Sequence, residues 1–125
     1  MAAGTVTISE ETFGSMKKIK WSWVAGSGAS VNSIGSAQTT NTYNGKIQML
    51  ATIGGAGGLA PSASYDITVV DQSSVDVLAG NGASRAAATE WTTTGNLGAV
   101  ANDKLTLTIA STGSSNAGAV YVYIR

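Results

Sequence analysis

Nowhere in this chain do apolar residues recur at the 3.6-residue period of an amphipathic helix, whereas the two-residue period of a half-buried strand returns along its length. The strongest alternation in the first half is Met16–Val24. There Ile19, Trp21 and Trp23 share one face, and Lys18, Lys20 and Ser22 share the other. Tyr65–Val70 aligns Tyr65, Ile67 and Val69, turns at 71–74, and returns as Val75–Leu78, the pattern of a hairpin. Lys104–Ile109 sets three aliphatics against threonines, and Ala119–Ile124 has the β-branched and aromatic content that a pleated surface favours. Thr5–Ile8 reads as a short strand with Val6 and Ile8 on one face, stopped by Glu10 and Glu11. Asn44-Gly45 reads as a turn. Lys46–Ile53 then reads as a strand with Ile47, Met49, Ala51 and Ile53 facing inward.

Glycine clusters at 26–28, 54–58, 80–82 and 113–118 punctuate these segments, and the stretches 26–43 and 80–98 read as long, small-residue loops. The run of alanines within 84–90 could form one helical turn. Six or seven strands with such connections predict an all-β chain, an antiparallel β-sandwich of jelly-roll-like character with long Gly/Ser/Thr-rich loops. At 125 residues this is one domain, 1–125, in which residues 1–15 could serve as an extended arm.

Composition narrows function. The chain has no His and no Cys, so Ser-His and Cys-His nucleophiles and His/Cys zinc sites are excluded. Its charge is balanced at seven basic and seven acidic residues, which argues against a nucleic-acid partner. No apolar run approaches the ~20 residues of a membrane-spanning helix. Nothing at Met1–Gly4 resembles a secretory leader. Asp66, Asp71 and Asp76 could in principle supply paired carboxylates, but their places in a hairpin point to turn and solvent roles. They lack the spacing of a calcium loop, and Gly54–Gly58 lacks the lysine of a phosphate loop. No metal, cofactor or catalytic residue is expected.

The candidate contact residues are few. Trp91 stands in a polar stretch, where it either caps the core or anchors a partner. Lys17, Lys18 and Lys20 form the sole basic cluster, either a solvated strand face or an acidic partner's docking site. Arg85 completes this partner-binding set. Trp21 and Trp23 could stack on carbohydrate, but sharing a face with Ile19 places them in the core or a subunit interface.

Several pieces, in order, carry a resemblance. They are Phe13-Gly14-Ser15-Met16-Lys17-Lys18-Ile19; Pro61 followed by Tyr65-Asp66-Ile67-Thr68; Val75-Asp76-Val77-Leu78-Ala79-Gly80 with Arg85 after it; Asn102-Asp103-Lys104-Leu105-Thr106-Leu107; and the terminal Gly118–Arg125. The regions they span, 13–19 and 61–125, make up more than half the chain, which resembles small structural proteins of tailed bacteriophages, the capsid decoration or cement proteins. That resemblance implies a small β-sandwich or jelly roll on the virion surface, assembled in the host cytoplasm. It implies the major capsid protein and further copies of itself, as a homotrimer, as partners. It transfers no catalytic residue. Two other virion or ligand roles remain open: a tail, fibre or head–tail connector component, and a carbohydrate-binding module using exposed tryptophans. A carboxylate glycosidase is the remaining enzymatic alternative.

Overall fold

A computed structural model describes residues 4–26, 34, 37–55, 61, 65–86, 89–93, 96–110, 112–113 and 116–125. Among them are eight strands and no helix: β1 (Thr5–Phe13), β2 (Met16–Val24), β3 (Tyr43–Gly54), β4 (Asp66–Val70), β5 (Glu90–Thr92), β6 (Ala99–Asp103), β7 (Thr106–Ala110) and β8 (Ala117–Ile124). Every pairing is antiparallel. The larger sheet runs β1-β2-β8-β3, and the far edge of β3 carries β6 along its first half and β5 along its second. β4 and β7 form the opposing layer. The fold is an antiparallel β-sandwich, its described strands divided six and two, and jelly-roll connectivity is not seen in that division.

The alternation in β2 builds one side of the core. Ile19, Trp21 and Trp23 are fully buried, and Val120, Val122 and Ile124 of β8 are buried beside them. Val6 and Ile8 of β1 lie directly across from Trp23 and Trp21 and pack on the same cluster. Ile67, Val69, Leu105, Leu107 and Ile109 supply the facing side from β4, β7 and the approach to β7. Each such aliphatic, fully buried, stabilises the fold by about 1.5–3 kcal/mol. Gly118 stands opposite Trp23 in the register. A Cβ there would lie 2.7 Å from Trp23 Cζ2 and 2.8 Å from the Ile53 carbonyl oxygen, so bare backbone lets the indole lie across β8.

The smaller layer is widened by backbone that is not regular strand. Thr39 N donates to Leu105 O and Leu107 N to Ala37 O, laying 37–39 along β7. Val77 N donates to Val69 O on the other side of the layer, next to β4. From there Gly98 N reaches Val77 O (2.7 Å) and Ile47 N reaches Gly98 O (2.9 Å), so a continuous hydrogen-bonded path joins the layers along one side. On the other, Trp21 Nε1 donates to Ala37 O at 2.8 Å. Both layers are therefore tied at their margins as well as through the core.

Four expectations need correction. β1 runs through Glu10 and Glu11 to Phe13, and its full length pairs with β2, so 5–13 is an edge strand rather than an extended arm. Asn44-Gly45 is no turn: both residues lie within β3, where Gly45 (φ +136°) lets the chain end approach, with Lys46 and Arg125 exchanging backbone bonds at 3.1 Å. β3 carries a register shift between Ile47 and Met49. That bulge reverses the alternation after Ile47, so Leu50 and Thr52 are buried while Met49, Ala51 and Ile53 turn to the outer face. Val75–Leu78 makes the expected return, but through a single bridge from Asp76 to Val70 and a turn from Val77 onward, not a full strand. Of the loop 26–43, residues 27–33 and 35–36 lie outside the described residues, as do 87 and 88 of the supposed helical turn.

Candidate binding face

The register of the larger sheet sets out its outer face row by row. In one row Ser9, Lys20, Tyr121, Ala51 and Trp91 stand side by side on β1, β2, β8, β3 and β5. The next row is Glu11, Lys18, Tyr123 and Met49, and the row on the other side is Thr7, Ser22, Ala119 and Ile53. Strand spacing puts Lys20 and Trp91 roughly 14 Å apart along the first row. Trp91 is 69% exposed, more than any other large hydrophobic side chain described. The rings of Tyr121 and Tyr123 lie nearly parallel, 6.5 Å apart. Lys18 Nζ and Lys20 Nζ sit 5.3 and 5.5 Å from the centre of the Tyr121 ring, within range of the attraction between a cation and a π face. Beyond these tall residues the face drops into a shallow hollow of about 390 Å³. Thr7, Ser22, Ala117 and Ala119 line it, with the half-exposed Val24 and Ile53 rising at its sides.

The structure thus brings Trp91, Lys18 and Lys20 onto one surface. It separates Lys17, whose neighbours across the strands are Thr12 and Ile124. Lys17 instead borders a polar depression of about 450 Å³ with Thr12, Asn41, Thr42, Tyr43 and Asn44. Beside that depression, Glu10 accepts bonds from Tyr43 Oη (2.7 Å), Thr40 N (2.9 Å) and Asn41 N (3.0 Å). Burial opposes ionisation of Glu10, but the bonds from Tyr43, Thr40 and Asn41 outweigh it and hold the carboxyl below its ordinary range. Burial, and then the bond to the Glu10 carboxylate and its charge, raise the Tyr43 phenol.

Arg85 leaves the contact set. It is 4% exposed, and its side chain is committed inside the fold. Nε donates to Thr52 Oγ1 at 3.0 Å, and Nη1 donates to Asn81 O and Thr92 Oγ1 at 3.2 and 3.3 Å. Glu90 Oε1 lies 3.5 Å from Nε and also accepts Ala86 N. Glu90 and Thr92 flank Trp91, so Arg85 positions the strand that presents Trp91 from beneath.

Trp21 and Trp23 are buried, which removes them as a sugar-stacking platform. Asp66, Asp71 and Asp76 serve turns: Asp66 accepts Ser84 N, Asp71 accepts Ser73 N and Val75 N, and Asp76 accepts Val69 N, Leu78 N and Gly80 N. Sequence reasoning missed Tyr121, Tyr123, Met49 and Ile53 as outer-face residues. For the tyrosines the signal was present, because Val120, Val122 and Ile124 alternate with them. For Met49 and Ile53 the bulge concealed it. No family model, curated protein or solved structure matches this chain.

Proposed function

We propose that this chain is a structural, non-enzymatic virion protein. In this reading it binds the outside of a tailed-phage head as a homotrimer, stabilises the capsid lattice, and docks on the major capsid protein through the outer face of its larger sheet. The observation that carries the reading is Trp91, exposed in one row with Tyr121 and Lys20 on a face of paired strands. A rigid aromatic presented to solvent is the kind of side chain that anchors an interface, where its loss commonly costs about 2 kcal/mol or more. The segments that resemble decoration proteins add the identity of the partner. Many modest contacts repeated over a lattice are then reinforced by multivalency.

The test is co-sedimentation of the purified protein with expanded, undecorated heads of its parent phage, counting copies bound per head. Saturation at the number of local threefold positions, with Trp91→Ala folded but weakly bound, is the expected result. A few copies per head would move the protein to a vertex or connector, and rings or tubes of the protein by itself would move it to a tail. Failure to bind heads, together with retention on insoluble polysaccharide through Trp91, would replace the reading with a carbohydrate-binding module.

A further inference from the structure

We infer that the outer face receives an extended acidic segment of the partner, with carboxylates at alternate positions against Lys18 and Lys20 and an aliphatic side chain in the adjoining hollow. The inference rests on the docking reading above and specifies the chemistry of what docks.

It starts from how a neutral chain distributes its charge. Five of its seven acidic side chains are engaged by the fold: Asp66, Asp71 and Asp76 by backbone N–H groups, Glu10 by Thr40, Asn41 and Tyr43, and Glu90 by Arg85 and Ala86. Lys18 and Lys20, in contrast, rest against the π face of Tyr121. That contact orients two ammonium groups without neutralising them. Of the acidic residues, Glu11 is the one that shares their rows on the outer face, across from Lys18. The overall balance therefore conceals a cationic, aromatic strip along β2 and β8.

Geometry then selects the form of the partner. Lys18 and Lys20 are alternate residues of one strand, their Cα atoms roughly 6.6–6.8 Å apart, the same repeat as same-side residues of any extended peptide, and both ammonium groups gather over the Tyr121 ring beside that strand. A partner segment laid along β2 can meet both with carboxylates two residues apart. Continuing along the strand, it reaches Ser22 and Val24, where small side chains leave the hollow between Val24 and Ile53. An aliphatic side chain fits there and would bury apolar area on both sides. A second copy of this chain is a poorer occupant, because laying one such face on another brings lysines toward lysines.

The experiment uses expanded heads as the probe and needs no variant in its first arm. Wild-type binding is measured at about 50 mM and about 500 mM salt, where screening shortens the reach of exposed charges several-fold. Binding is then measured for Lys18→Glu/Lys20→Glu, Lys18→Arg/Lys20→Arg and Ala119→Leu, each checked for buried-tryptophan emission. The expected result is weakening in high salt, a loss of about tenfold or more for the glutamate pair, retention for the arginine pair, and weakening when Ala119→Leu fills the hollow. Tight binding that neither salt nor the glutamate pair disturbs would overturn the inference and leave the docking reading intact. Wild-type protein that does not bind heads at all would overturn both.

Discussion

Replacing Glu10 with Gln tests whether the edge strand is held by a charge. The carboxylate gathers one side-chain and two backbone donors from 40–43, tying β1 to the start of β3. The bond from the buried Tyr43 hydroxyl to a charged acceptor contributes about 1.5–3 kcal/mol, and the two exposed N–H groups add less because water can replace the carboxylate. Glu10→Ala should therefore cost about 2–3 kcal/mol, and Glu10→Gln, which keeps one acceptor oxygen, about half of that. The pH dependence is sharper than the magnitude. Because the folded carboxyl titrates below 4.5, its contribution is complete above that value and is lost as pH falls through the folded pKa. Urea unfolding of the wild type and Glu10→Gln should show the gap at pH 7, and the gap should narrow as pH falls below 4.5. Tyr43 acts at the other extreme: its raised phenol contributes below pH 10, and that contribution fades as pH rises toward the folded value. A gap below about 0.5 kcal/mol at pH 7, or one that persists undiminished in acid, would refute this account of Glu10.

Other consequences concern the core and the exposed tryptophan. Gly118→Ala places a Cβ against Trp23 and the Ile53 carbonyl, so thermal unfolding should show a loss at or beyond the roughly 3 kcal/mol typical of severe overpacking. Arg85→Met strands Thr52 and Glu90, and should cost about 2–3 kcal/mol, reduced from a fully buried pair because Glu90 is 40% exposed. Amide exchange in Glu90–Thr92 should quicken in the same variant. Trp91→Phe should leave stability within about 0.5 kcal/mol. It should also leave a blue-shifted emission that acrylamide hardly quenches, since Trp21 and Trp23 are buried. A red-shifted residual spectrum would contradict the packing of those two residues.

The parts of the fold that were legible are those where one strand's alternation meets a single apolar layer. β2, β4, β7 and β8 each read correctly because every second side chain enters the same core. What was illegible depends on partners distant in sequence. Glu10 looks like a strand breaker until Thr40, Asn41 and Tyr43 satisfy it from thirty residues away. Met49 and Ile53 look like core until one extra residue in β3 changes their side. Trp91 was legible as a residue of interest, but not its alignment with Tyr121 and Lys20, because that row is assembled from β2, β8, β3 and β5 and exists only in the register. Arg85 carries the same lesson in reverse: a charge in a polar stretch reads as surface, and the fold uses it inside.

The position of Arg85 also explains how a three-residue strand can present a large aromatic. β5 pairs with β3 over Leu50, Ala51 and Thr52 only, too short a ladder to fix a side chain as heavy as Trp91 by itself. The guanidinium below it joins Thr52 of β3, Thr92 of β5 and the Asn81 carbonyl, and lies close to Glu90. Its own backbone bonds to Tyr65, beside β4. β5 is thereby anchored to both layers through one buried residue, by its side chain to Thr52 and Thr92 and by its backbone to Tyr65. The outer face can vary without disturbing the core, since its residues point away from it, whereas a change at Arg85 touches both. Loss of binding in an Arg85 variant that still folds would therefore reflect the placement of Trp91, not a contact made by Arg85 itself.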